Sequence, residues 1–168
     1  MINSNFYHFY EGIRLEQLDR FDRAILSLLQ ADGRMPVAKL AEKVGLSETP
    51  CARRLKRLEN EGYIEGYRAV LSRKALQIGV TVFAHVRFSP HLREVSERFE
   101  REIQGIERIV SCHIISGSAD FMLQIAAHDI DEYSLFMRDV LRQLPGVASV
   151  ESILSLGEVK PFTGLPLL

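Results

Sequence analysis

The spacing of apolar residues changes once along this chain, and the change divides it in two. From Leu18 to Leu58 they recur every three or four positions, the period of a helix face. From Val80 onward they fall in alternating runs rich in β-branched and aromatic residues, with two helical stretches between them. Three segments are therefore expected: an arm over 1–17, a helical unit over 18–79 and a mixed α/β unit over 80–168.

The helical unit reads as three helices. Leu18, Phe21, Ala24, Ile25, Leu28 and Leu29 share one face of the first, with Asp19 as its N-cap and Gly33 as its stop. Pro36 starts the second, which buries Val37, Leu40, Ala41 and Val44 and ends at Gly45. Ser47 caps the third. Pro50 lies in its first turn, where no N–H donor is required, and Gly62 ends it. Cys51, Leu55 and Leu58 form its inward stripe. The tight Val44-Gly45-Leu46 connection makes the last two helices a helix-turn-helix, winged-helix-like if residues 63–71 form an extended wing rather than a connection.

In the second unit, Val80 to Phe88, Glu107 to Ser116, Phe121 to Ala127 and Val147 to Val159 read as strands. Residues 91–104 and about 131–143 read as helices, the latter burying Tyr133, Phe136, Met137, Val140, Leu141 and Leu144. Gly117-Ser118-Ala119-Asp120 joins two strands, and Pro145-Gly146 stops the second helix. The order βαββαβ predicts a ferredoxin-like sandwich, so the fold class is α+β.

Charge separates the same two halves. The formal total is −1, yet residues 19–74 carry 12 basic against 8 acidic side chains, and residues 75–168 carry 8 against 12. A basic helical half is suited to a polyanion. In a helix-turn-helix the second helix offers its N-terminal part to base edges in the major groove. Here that part carries Ser47, Thr49 and Pro50, followed by Arg53, Arg54, Lys56 and Arg57, with donors for guanine and for phosphates. The competing reading of Arg53 to Arg57 is a solvated helix face.

Other classes find less support. No apolar run reaches the roughly 18 residues of a membrane span. Met1 to Tyr10 lacks the pattern of a secretory signal, and two cysteines make no disulfide framework, so a cytosolic protein with reduced thiols is expected. His85, His91, His113 and His128 show no paired metal spacing with Cys51 or Cys112. No phosphate loop, nucleophile elbow or dinucleotide motif occurs, so neither metal, cofactor nor catalytic residue is expected, and an enzyme on the ferredoxin-like half is the weakest reading. A metabolite-binding oligomer whose helical domain contacts proteins is the alternative to a DNA-binding regulator.

Several runs carry a family resemblance. Leu18 to Leu26, Asp32-Gly33-Arg34 and Leu40 to Glu59 resemble the DNA-binding domain of the Lrp/AsnC (feast/famine) bacterial transcriptional regulators. Cys112-His113, Ser116 to Phe121 and Leu144-Pro145-Gly146-Val147 resemble that family's effector domain, and the match spans about residues 18–162. The resemblance implies binding to promoter DNA, dimers that often assemble into octamers, and an amino-acid effector held between dimers. Carried over by position, the effector turn is Ser116, Gly117, Ser118, Ala119 and Asp120, with Ser152 on the last strand as a weaker candidate. Backbone N–H groups near Gly117 would receive an α-carboxylate and Asp120 an α-ammonium. An ordinary hairpin turn is the competing reading. Ala119 and Val150 depart from residues common in the family, which points to a different effector or to none.

Overall fold

Asp19 opens the first helix by a reciprocal cap. Its Oδ1 accepts from the N–H groups of Phe21 at 2.8 Å and Asp22 at 2.9 Å, while Asp22 Oδ2 accepts from Asp19 N at 3.1 Å. The helix that follows, α1, spans Arg20–Ala31 in the computed structural model, which describes residues 18–89 and 92–167. The expected arm over 1–17 and His91 lie outside the described residues. Asp32 rather than Gly33 ends α1. Its N–H donates to Leu28 O, and its Oδ1 turns the chain by accepting from Arg34 N at 3.0 Å.

Helix α2 spans Val37–Val44 and α3 spans Glu48–Asn60. Gly45 (φ 73°) and Gly62 (φ 77°) take the left-handed conformation just past α2 and α3, as the two stops require. Ser47 occupies the N-cap position of α3, but its hydroxyl makes no capping bond. Pro50 takes away one of the two N–H groups such a hydroxyl could serve. It stands at the third helical position and has no N–H for that hydroxyl to satisfy. Ile25, Leu26, Leu40, Ala41, Cys51 and Leu58 are the buried core of the bundle.

The inward face of α1 is turned relative to the sequence reading. Asp22 is 1% exposed, whereas Phe21 is only half-buried, with the Arg20 and Arg54 guanidinium carbons 4.6 and 5.4 Å from its ring centroid. No wing forms, since residues 63–79 hold no strand. Tyr63 and Ile64 pack on the helical core instead, and Tyr67 donates to Glu59 Oε1 at 2.9 Å.

Strands β1 (Val80–Phe88), β2 (Ile109–Ile114), β3 (Phe121–Ala127) and β4 (Val147–Leu154) form one antiparallel sheet in the order β2-β3-β1-β4. With α4 (Arg93–Ile103) and α5 (Ile130–Asp139) the sequence order is βαββαβ, the ferredoxin-like arrangement. Val82, Ala84, Val86 and Phe88 on β1, with Phe121, Leu123, Ile125 and Ala127 on β3, bury their side chains with Phe99, Tyr133 and Phe136 of the helices. Rings of Phe88, Phe99 and Phe121 meet at centroid distances of 4.9 to 5.1 Å.

Three expected boundaries shift. The second helix breaks at Val140, whose dihedrals (−120°, −65°) leave the helical region, and continues as one 3₁₀ turn over Leu141–Gln143. Val140 is consequently exposed, while Leu141 is fully buried. Strand β2 is shorter than expected at both ends. Strand β4 stops at Leu154 instead of Val159; its ladder with β1 ends at Val82, and one further bond, from Ser155 N–H to Thr81 O at 2.9 Å, follows it.

The chain divides into two compact units, one of residues up to Ala69 together with those from Pro161, the other of Val70–Lys160. The C-terminal residues thus join the helical unit, not the sheet as the sequence reading placed them. The Gln30 side chain accounts for this: Nε2 donates to Leu165 O at 3.1 Å and Oε1 accepts from Leu165 N, while Leu167 packs on the helical core.

Candidate functional site

The turn between α2 and α3 sets what α3 offers. Leu46 N–H bonds to Ala41 O across Gly45, so Ser47 and the first turn of α3 emerge at the surface. Ser47, Thr49, Arg53 and Lys56 are exposed and Pro50 is half-buried. Thr49, Arg53 and Lys56 recur at four- and three-residue steps, which aligns them on one face of the helix. Glu48, which the sequence reading passed over, is also exposed in the first turn. A carboxylate there suits a cytosine amino group.

Arg54 and Arg57 behave differently from their neighbours. Arg54 Nη1 lies 2.7 Å from Asp19 Oδ2 and 2.9 Å from Asp22 Oδ1, and Arg57 Nη2 lies 2.6 Å from Asp22 Oδ2. Both are folded against α1, with about a third of each side chain accessible. The charges reinforce one another. N–H donation from Asp22, joined by the Arg54 guanidinium, holds the Asp19 carboxyl below its ordinary range, and the hydrogen bond to Asp22 raises Arg54 further. Sequence reasoning placed all four cations of α3 at the duplex and missed Asp22. The available signal was the Asp19-x-x-Asp22 spacing of a capping box.

In the other unit, the turn after β2 is built around Asp120. Its Oδ2 accepts from Phe88 N at 2.8 Å, its N–H donates to Val86 O at 2.9 Å, and its carbonyl accepts from Ile115 N at 3.0 Å. Ser116, Gly117 and Ser118 are exposed, and Ala119 is buried. Gly117 has φ 131°, a conformation that disfavours any side chain, with open space where a Cβ would stand. Ser152 is not brought to this turn. It pairs with Ala84, four residues along β1 from Phe88, or about 13 Å at the rise of a strand, and its hydroxyl bonds to the Tyr133 hydroxyl at 2.5 Å.

The remaining polar groups have structural surroundings. Cys51 is buried in the helical core, and burial pushes its thiol up. Cys112 is raised to about 11, chiefly by burial, with Glu100 adding to it. His128 Nδ1 lies 2.9 Å from Gln77 O, a partner that requires the ring nitrogen to carry its proton. Among the described residues, no three His, Cys, Asp or Glu side chains converge as metal ligands. No described helix is long and apolar enough to cross a membrane.

A basic helix-turn-helix followed by a ferredoxin-like unit is the plan of a ligand-responsive transcriptional regulator, and comparison with known proteins agrees. The AsnC-type helix-turn-helix domain matches residues 18–59, and the Lrp/AsnC ligand binding domain matches residues 81–165. The proline dehydrogenase transcriptional activator of Rhizobium radiobacter is 38% identical over 147 residues, 88% of this chain and 94% of that protein. The leucine-responsive regulatory protein of Escherichia coli K12 is 38% identical over 86% of this chain and 88% of its own. Among solved structures, a transcriptional regulator in complex with L-Met from Neisseria meningitidis superposes with TM-score 0.87 at 35% identity, covering 90% of this chain and 97% of that one. An AsnC family transcriptional regulator from Agrobacterium tumefaciens gives 0.85 at 35% identity, with 89% and 97% covered.

This chain belongs to the Lrp/AsnC family of transcriptional regulators. It is a DNA-binding regulator with an Lrp/AsnC-type ligand-binding domain, and its family is one of transcriptional regulators and not of enzymes.

Proposed function

We propose that the protein is a cytoplasmic regulator that reads a specific promoter site through Thr49, Arg53 and Lys56, with Ser47 and Pro50 at the mouth of the helix. The observation that supports this most is the exposed start of α3 behind its tight turn. Arg53 is the residue best placed to read a base. Arg53→Ala is expected to weaken binding to the selected site by about 1 to 3 kcal/mol and to relax preference at one base position. Fluorescence anisotropy with that duplex checks it, and unchanged affinity would remove Arg53 from the interface.

The ligand of the second unit is, on this reading, an α-amino acid whose carboxylate meets the N–H groups of Ser116 to Ser118. Two features support it: the turn is exposed, and Gly117 adopts a conformation that presents backbone without a side chain. Asp120 enters as the group that holds the turn through Phe88 and Val86, and Ser152 is left out. The Leu-responsive and L-Met-bound relatives make small apolar amino acids the first class to try. Asp120→Ala removes the acceptor that the Phe88 N–H uses, so the turn loses the bond that holds it. It is expected to leave DNA affinity without amino acid within about twofold and to abolish any thermal shift induced by amino acids. Retention of the full shift would exclude Asp120 from the ligand turn.

The working form is a homodimer, with octamers as a further assembly. The helix-free face of the sheet supports pairing, since it sets Phe83, His85, Met122, Ala126 and Ile153 side by side. An effector would then act by binding assembly states unequally.

A further inference from the structure

We propose that Asp22, with Asp19, decides which cations of α3 the duplex meets. The proposal rests on the reading of α3 as the DNA-contacting helix and deepens it. The helix carries four cations between residues 53 and 57, with Arg53 and Lys56 exposed. Arg54 and Arg57 are bent back onto α1, and Asp22 takes one guanidinium on each carboxylate oxygen at 2.9 and 2.6 Å.

The geometry of Asp22 makes this a property of the fold and not of a loose surface pair. Its side chain is 2% exposed, and it is anchored by its own backbone position in the α1 cap, where Oδ2 also accepts from Asp19 N. Phe21 fixes Arg54 from a second side, 5.4 Å below the guanidinium carbon. A buried carboxylate that would otherwise stand unpaired holds both cations strongly. A duplex phosphate that draws off Arg54 or Arg57 takes from the buried Asp22 one of the two guanidinium groups that neutralise it. The two arginines are therefore withheld from sequence-independent phosphate contact, and the helix binds through fewer charges than its composition offers. Because phosphate contacts add affinity for every sequence alike, withholding them favours discrimination.

Salt titration of binding to a random-sequence duplex reads this directly. Each phosphate neutralised contributes about 0.9 to the slope of log affinity against log salt. Asp22→Asn keeps size and one acceptor while removing the charge. It is expected to tighten binding at low salt and to steepen the slope by about 0.9 to 1.8, an extra loss of affinity of about 3.5- to 12-fold for a fourfold rise in salt. Asp22→Glu restores the carboxylate and is expected to restore the slope of the unmodified protein. Arg54→Gln and Arg57→Gln, each made in the unmodified protein, are expected to leave the slope unchanged; in the Asp22→Asn background they are expected to reverse the increase.

A folded Asp22→Asn protein with an unchanged slope overturns the proposal. So does either arginine variant that flattens the slope by about 1 in the unmodified protein. If Asp22→Asn melts below the assay temperature, the two single arginine variants decide between those outcomes. A slope near zero for the unmodified protein has a different meaning, since it overturns DNA binding through α3 and the withholding together.

Discussion

Asp22→Ala is expected to destabilise the helical unit by about 2 to 4 kcal/mol, one of the largest losses available to a single surface-adjacent substitution in this chain. Alanine leaves Arg54 and Arg57 without the carboxylate they share and strips the Asp19 N–H of its cap. The cost of orphaning buried charge sets the upper figure, and the partial exposure of both arginines lowers it. Regional hydrogen exchange is the suitable measurement, because a chain of two units need not unfold in one step. Amides of α1 and α3 should lose protection while those of the sheet keep it. A loss below about 0.5 kcal/mol would equate these pairs with ordinary surface ion pairs.

Phe99→Ala is expected to have the opposite regional signature. Phe99 is fully buried, with the Phe88 and Phe121 rings each 4.9 Å from its own. Removing a ring from such a cluster costs about 3 to 5 kcal/mol, part transfer free energy and part cavity. The loss should fall on β1, β3 and α4, leaving α1 to α3 protected. It should also reach the ligand turn, because the Phe88 backbone N–H is the group that anchors Asp120. A weakened thermal response to amino acids is therefore expected even though Phe99 touches no part of the turn's surface. Equal loss of protection in both units would contradict their independence.

These two residues also show what sequence can reveal and what it hides. Phe99 lies within the stretch 91–104 that reads as a helix, and β1 and β3 lie where alternation placed them, because both strands bury one full face. Asp22 was hidden. Its burial depends on Arg54 and Arg57, 32 and 35 residues away, and periodicity carries no signal of partners at that distance. The same non-local cause moved the C-terminal residues, since Gln30 and Leu165 are 135 positions apart. Val140 belongs with them, as the helix gives way there to place Leu141 in the core.

The polar residues of α3 divide along the same line. Position on the helix was enough to place Thr49, Arg53 and Lys56 on its exposed face, whereas the pairing of Arg54 and Arg57 with Asp22 required tertiary structure. In the second unit, Gly117 and Asp120 were legible as a turn between two strands. Only the structure showed that Asp120 supports the turn from behind and that Ser152 stands elsewhere on the sheet. The local charge excess of residues 19–74 keeps its value as a pointer to DNA, but part of it is neutralised inside the helical unit.

Selection of bound duplexes from a randomised pool by the full chain tests the central claim most directly. A dimeric helix-turn-helix regulator should enrich one site built of two dyad-related half-sites, their centres about one helical turn or a multiple of it apart. Recovery of such a site, with Arg53→Ala relaxing one position in each half, is the predicted result. A pool that stays random through successive rounds would contradict sequence-specific binding by this protein.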